Sequence, residues 1–148
     1  MRIKFIKTHP DAKIPTKAYN KDYCYDLYAV SEEEIAPNVW KYGFGLALQM
    51  DKDGVYNSRI RHAIKIYPRS SICKTGMILS NSCGIVDEGY RNEISAVFYH
   101  VMPNMPRYKA GDKIAQMCVE TTVELDFIEV DSLDASERGL NGYGSSGR

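Results

Sequence analysis

Glu93-Ile94-Ser95-Ala96-Val97-Phe98-Tyr99-His100-Val101 alternates Ile94, Ala96 and Phe98 against Ser95, Val97 and Tyr99. A period of two sends successive side chains to opposite faces of a pleated chain, so the stretch reads as a β-strand. It ends at Pro103-Asn104-Met105-Pro106, a loop that neither a helix nor a central strand tolerates. On both sides the pattern is the same: short apolar segments separated by turn signals. Residues 63–67 alternate and stop at Pro68. Residues 39–50 run into Asp51-Lys52-Asp53-Gly54, whose Asp-Gly pair is a hairpin signal. Residues 114–119 and 123–130 are two further strand candidates, and eleven tyrosines suit half-buried pleated surfaces. Amphipathic helices are scarce. The best candidate is residues 70–75, with Ser70 or Ser71 as N-cap and Gly76 closing it. The expectation is an all-β fold, a barrel or sandwich of many short strands, with no internal repeat and no domain linker.

The chain has 148 residues, 19 Lys+Arg against 19 Asp+Glu, 44% hydrophobic and 26% charged residues. That is one domain, long enough to bury a sizeable core without disulfides or metal. Zero net charge argues against a nucleic-acid backbone as the main partner. No apolar stretch approaches the length of a bilayer span, which argues against a membrane partner. Lys4 and Lys7 interrupt the apolar residues of the N-terminus, so no signal peptide is read there and the expected compartment is the cytoplasm. Cys24, Cys73, Cys83 and Cys118 show no C-x-x-C spacing, and His9, His62 and His100 are not three to five residues from another His or from a Cys. Neither a disulfide framework nor a structural zinc site is expected.

The end of the chain differs in kind. Arg138-Gly139-Leu140-Asn141-Gly142-Tyr143-Gly144-Ser145-Ser146-Gly147-Arg148 can form neither a core strand nor a helix. It divides the chain into a β body, residues 1–137, and a Gly-rich arm, residues 138–148. The arm is either a solvated tail or a segment that orders over a ligand. Its G-x-G-x-x-G match at residues 142–147 fails as a dinucleotide fingerprint, because only one residue follows Gly147 where a helix is needed. The residues keep their physics: glycines admit an anion close to backbone N–H groups, serines add donors and arginines add charge.

Two internal segments carry chemistry. In Pro68-Arg69-Ser70-Ser71-Ile72-Cys73-Lys74-Thr75-Gly76 a strand ends at Pro68 and a helical turn opens with unsatisfied N–H groups beside Arg69. That is either a capped turn with a solvated Arg or an anion site. In Asn81-Ser82-Cys83-Gly84-Ile85-Val86-Asp87-Glu88-Gly89-Tyr90-Arg91 the glycines bracket an apolar and an acidic pair, as in a β-hairpin arm. Asn81 offers one acceptor and two donors, the complement of a base edge such as uracil's. Tyr90 offers a flat face for a sugar or base, and Asp87 a carboxylate to activate a water. Asp87 and Glu88 are neighbours, so on a strand they face apart and do not form a glycosidase pair.

Taken together these segments resemble the homotrimeric deoxyuridine triphosphate nucleotidohydrolase (dUTPase) family. Five motifs stand in that family's order: Tyr25-Asp26-Leu27-Tyr28-Ala29; residues 68–76; residues 81–91; Tyr108-Lys109-Ala110-Gly111-Asp112-Lys113-Ile114-Ala115-Gln116; and residues 138–147. The resemblance implies a jelly-roll-like fold, a homotrimer with active sites shared between subunits, and hydrolysis of dUTP to dUMP and pyrophosphate with Mg²⁺. It implies that Asn81 and backbone groups of its hairpin, Gly84 among them, read uracil, and that Tyr90 packs under the deoxyribose. Asp87 would activate the water that attacks the α-phosphorus. Arg69, Ser70, Ser71 and Gln116 would hold phosphates, and Asp26 would reach Mg²⁺ through water. In the arm, Arg138, Ser145 and Ser146 would clasp phosphates, and Tyr143 would stack on uracil.

Five positions depart from the family pattern: Cys24 stands where the first motif has Gly, Gly89 where the third has its second acid, Asn92 where it has Gly, and Asn141 and Tyr143 in Asn141-Gly142-Tyr143 where the arm has Gly-Gly-Phe. Residues 52–62 read as a surface hairpin longer than the usual connection. The rival readings are a dCTP deaminase or a bifunctional deaminase and hydrolase on the same fold, and a non-catalytic nucleotide-sensing or protein-binding relative.

Overall fold

The structure, a computed structural model, describes residues 1–51 and 59–142. Its regular elements are β1 (Arg2–Lys7), β2 (Tyr25–Tyr28), β3 (Ser31–Ala36), β4 (Val39–Gly43), β5 (Leu46–Asp51), β6 (Ile60–Pro68), a 3₁₀ turn (Ser70–Lys74), β7 (Met77–Leu79), β8 (Gly84–Asp87), β9 (Ser95–His100) and β10 (Lys113–Val123). Two four-stranded antiparallel sheets, ordered β2-β10-β6-β8 and β3-β4-β9-β7, contribute to one core, and β1 pairs with β5 in a smaller sheet. This is the sandwich half of the expectation; none of the sheets closes into a barrel among the described residues.

The alternation that marked residues 93–101 holds. Ala96 and Phe98 of β9 are buried while Tyr99 is exposed. Phe98 stands edge-on to Tyr42 and Tyr108, with ring centroids 5.8 and 5.6 Å away, the arrangement ring quadrupoles favour. The Tyr42 hydroxyl donates to the Tyr108 carbonyl at 2.7 Å, whereas the Tyr108 hydroxyl is buried without a hydrogen-bond partner among the described residues. The apolar run 39–50 is two strands. Gly45, at φ +66°, turns the chain between them, a conformation open to glycine. Glu93 holds the turn by accepting from the Gly45 N–H (2.9 Å) and the Thr8 hydroxyl (3.0 Å).

Three expectations are corrected. Residues 70–75 form a 3₁₀ turn without a side-chain N-cap: Arg69 takes the capping position in extended backbone, and neither Ser70 nor Ser71 caps. Thr75 closes it, sending both its N–H (2.9 Å) and its hydroxyl (2.8 Å) to the Ile72 carbonyl. Residues 114–119 belong to an eleven-residue strand, and residues 124–130 to none. The reason is register: β10 runs along β6 from Pro68 back to Ile60, whose partner is Val123, and there the partner strand begins. Residues 81–91 are not a self-paired hairpin; β8 is the edge strand on β6, with Ala63 opposite Asp87 and Ile66 opposite Gly84. The Asp-Gly turn and most of the expected 52–62 hairpin lie outside the described residues. The strands that flank it, β5 and β6, belong to different sheets.

The loop before β10 is tied down by charge. Arg107 reaches Glu32 of β3 at 3.1 Å and lies 3.6 Å over the Trp40 ring, a cation–π arrangement. The second Glu32 oxygen accepts from the Ala110 N–H at 2.8 Å. The Arg107 hydrogen bond holds the Glu32 carboxyl below the usual carboxylate range. A depressed folded value means stability present above the unfolded carboxylate range and lost as pH falls through the folded one. Glu32→Gln is expected to cost about 1 kcal/mol at neutral pH. In denaturant melts the gap between the two proteins should close as pH is lowered through the carboxylate range.

Candidate active site

The site is organised by Asp26, the one buried charged residue among the described residues, at 8% exposure. It lies on β2, opposite Gln116 of β10, and its second neighbour is Thr16 through a β-bridge. One carboxylate oxygen receives Arg69 Nε at 2.8 Å, and the other receives Lys113 Nζ at 3.0 Å. A buried carboxylate must be compensated, and here two cations do it. The Asp26 hydrogen bond in turn raises the Lys113 ammonium above its ordinary value. Arg69 also donates to the Ser71 hydroxyl and the Lys113 carbonyl, each at 3.4 Å, and Gln116 donates to the Pro68 carbonyl at 3.0 Å. Asp26, Arg69, Ser70 and Gln116 thus line one cleft of about 440 Å³, with Cys24 on its wall. Cationic and amide donors around an open cleft suit a polyanion.

Of the sequence-derived residues, Asp26, Arg69, Ser70, Ser71 and Gln116 come together. Lys113 was not assigned a role from sequence. Its place in the fourth motif was visible, but only the pairing of β10 with β2 carries it onto Asp26.

Asn81, Gly84, Asp87 and Tyr90 form a second group. Asp87 ends β8 exposed, and its carbonyl accepts the Tyr90 N–H at 3.0 Å. The Tyr90 hydroxyl donates to the Glu93 carbonyl at 3.0 Å, which steadies the ring on the surface. Glu88 clamps this turn to β6, accepting from the His62 N–H at 2.6 Å and meeting His62 Nδ1 at 3.3 Å. A Cβ on Gly84 would come 3.2 Å from Ile66 Cβ, so β8 approaches β6 closely here and a side chain would push the two apart by a few tenths of an ångström. Gly89 is different. A side chain there would meet nothing within 4 Å, and its backbone is not in the positive-φ region, so the missing acid of the third motif leaves open space rather than a changed turn. The Asn92 side chain accepts the Glu93 N–H at 2.8 Å, a local bond that supports its turn without glycine.

Asp87 and the Arg69 cleft stand apart in one chain, although Gly84 lies opposite Ile66, two residues from Pro68. Asp87 pairs with Ala63, whereas Arg69 follows Pro68. Five residues of extended strand separate Ala63 from Pro68, roughly 17 Å. Arg138 lies in an exposed segment, where its side chain donates to the Asn141 carbonyl at 3.0 Å. Tyr143, Ser145 and Ser146 lie outside the described residues.

Comparison with known proteins identifies the family. A family model described as dUTPase matches residues 10–147. A deoxyuridine 5'-triphosphate nucleotidohydrolase of Helicobacter pylori (strain P12) is 32% identical over 149 residues, covering 99% of this chain and 97% of that protein. One of Nocardia farcinica is 35% identical over 150 residues, covering 98% and 85%. In fold, the chain is similar to a variant dUTPase of Staphylococcus bacteriophage 80alpha solved with dUpNHpp, at TM-score 0.80, 17% identity and 99% of each chain. It is also similar to a variant dUTPase from phage phi11 of S. aureus, described with a structural Mg(II) ion, at TM-score 0.71, 13% identity, 91% of this chain and 100% of that one. With the family model spanning nearly the whole chain and relatives above 30% identity along its length, this protein belongs to the dUTPase family.

Proposed function

We propose that the protein hydrolyses dUTP to dUMP and pyrophosphate. The observation that carries this is the family match over residues 10–147, joined to the donor-lined cleft at Asp26 and the exposed Asp87-Tyr90 edge. In this reading Asn81 and the backbone at Gly84 recognise the uracil edge, and Tyr90 packs against the deoxyribose. Arg69, Ser70, Ser71 and Gln116 hold the phosphates. The Asp87 carboxylate takes the proton from a water as its oxygen attacks the α-phosphorus, and pyrophosphate leaves. Negative charge develops at the phosphoryl oxygens, where pre-placed donors stabilise it best.

The donor set fits a metal held mainly by phosphates and water. Both Asp26 oxygens already accept from cations, and no cluster of three or more His, Cys, Asp or Glu occurs among the described residues. Asp26 would hold Mg²⁺ through water rather than directly. When bound, Mg²⁺ supplies positive charge to the triphosphate.

The separation of Asp87 from Arg69 supports a homotrimer with shared sites. Asp87 pairs with Ala63 in the middle of β6 and Arg69 follows its end, so in this reading one nucleotide is met by the Asp87 edge of one subunit and the Arg69 cleft of another. The strand-like run at residues 123–130 points the same way: Phe127 and Ile128 are 91% and 81% exposed. The arm then closes over the bound nucleotide through Arg138, Tyr143, Ser145 and Ser146, excluding all water but the nucleophile. No helix among the described residues is long and apolar enough to cross a membrane; the proposed setting is the cytoplasm, with no nucleic-acid or membrane partner.

Pyrophosphate release measured with dUTP, dCTP, dTTP and UTP, with and without Mg²⁺, tests the reading. Turnover of dUTP alone, to dUMP, and only with Mg²⁺, is expected; a uracil product from dCTP would make the protein a deaminase instead. Asp87→Asn should bind dUTP, fold normally and lose about 10²–10⁴-fold in turnover. Asp26→Asn removes the counter-charge of Arg69. Loss of that contact alone is expected to cost about 1–3 kcal/mol in a denaturant melt, and turnover should fall with it. Deleting residues 138–148 should leave the same oligomer in analytical ultracentrifugation and abolish most activity; a fully active truncation would reduce the arm to a tail.

A further inference from the structure

Cys24 and Cys118 are both free thiols, and the register of the β2–β10 pair brings them together. Asp26 stands opposite Gln116 and Tyr25 opposite Met117, so the next step sets Cys24 beside Cys118. Cys24 directly precedes β2, two residues before Asp26, and Cys118 and Gln116 share one face of β10. The two cysteines therefore form the rung next to the Asp26–Gln116 rung of the cleft. Directly opposed residues of antiparallel strands have Cα atoms about 4.5–5.5 Å apart, inside the range of about 4.4–6.8 Å that a disulfide spans. Cys118 is among the groups that raise the Cys24 thiol, as expected of neighbours across the two chains. Cys24 is half-buried on the cleft wall, while Cys118 is 6% exposed beneath it. Cys83, by contrast, precedes β8, two strand positions from β10 in the sheet. That is about 9–10 Å, too far for a bond to Cys118.

We propose that Cys24 and Cys118 are a cross-strand dithiol that closes to an intramolecular disulfide by exchange with a low-molecular-weight disulfide. This modification site is independent of the substrate assigned to the cleft. The thiolate of Cys24, the accessible partner, attacks the small disulfide, forming a mixed disulfide and releasing one small thiolate. Cys118 then attacks the Cys24 sulfur, the protein disulfide forms and the second small thiolate leaves. Two protein thiols are oxidised, one small disulfide is reduced, and the two protons pass to the released thiolates. The product ties β2 to β10 beside the Asp26 cleft.

In the reduced protein, burial first and Cys118 second push the Cys24 thiol up to about 11, with Glu120 of β10 adding to the rise and Lys17 opposing it. Tyr23 lies against Cys118 as well.

The test is peptide mapping of the full chain after incubation with oxidised glutathione, with free thiols blocked by iodoacetamide before digestion. A non-reduced Cys24–Cys118 peptide pair, two hydrogen atoms lighter than its separate peptides, is expected from protein that runs as a single chain on a non-reducing gel. The pair should persist in the Cys73→Ser/Cys83→Ser protein and vanish in Cys24→Ser and in Cys118→Ala. A stable mixed disulfide on Cys24 with Cys118 still alkylatable would overturn the proposal, as would linkage through Cys73 or Cys83. The map is read on the chain itself, so it stands or fails apart from any result with dUTP.

Discussion

One carboxylate holds three elements in place. Asp26 on β2 faces Lys113 at the start of β10 and Arg69 just beyond β6, and each of its oxygens takes one cation. A solvated version of this cluster would contribute little, since exposed ion pairs are screened. Buried in a sheet, the same carboxylate cannot be left without partners, so it dictates where Arg69 and Lys113 must be. The Arg69 guanidinium is fixed by Asp26 and directed by Ser71 and the Lys113 carbonyl, so its remaining donors are presented to the cleft instead of wandering in solvent. Pre-organisation of this kind lets a donor act on a developing charge without first being ordered.

The second constraint is the length of β6. It carries Arg69 at its exit and pairs through residues 63–66 with the Asp87-bearing edge strand. Asp87 and Arg69 are held apart by this stretch, because an extended strand does not fold back on itself. The same strand also sets where β10 stops: beyond Val123 there is no residue of β6 left to pair, and an apolar stretch is carried into solvent. The separation of Asp87 from Arg69 and the uncovered apolar chain have one geometric origin.

Departures from the family pattern look different once placed. Gly89 occupies open space and ordinary backbone, so the absent acid changes charge rather than shape. Asn92 replaces a glycine by closing a local hydrogen bond to the Glu93 N–H. Cys24, in place of glycine, has a near neighbour in Cys118 and a wall of the cleft. It is the one departure that adds chemistry.

The period-two alternation of residues 94–99, the stop at Pro68 and the Gly-rich terminus were sufficient to read an all-β chain with an appended arm, because those signals are local: each depends on a residue and its immediate neighbours. The five motifs were legible for the same reason, as short runs whose residue types already state their chemistry. What the sequence could not carry was register. Nothing in the alternation of residues 123–130 tells that their partner strand has ended, and nothing in residues 70–76 tells that Thr75, not a serine, satisfies the turn. Lys113 on Asp26, Glu88 on His62 and Cys118 beside Cys24 join residues 87, 26 and 94 positions apart. Such pairs exist only when antiparallel strands choose one alignment, and burial of one face makes that choice: a slip by a single residue would turn Asp26 from its cations and the core residues outward.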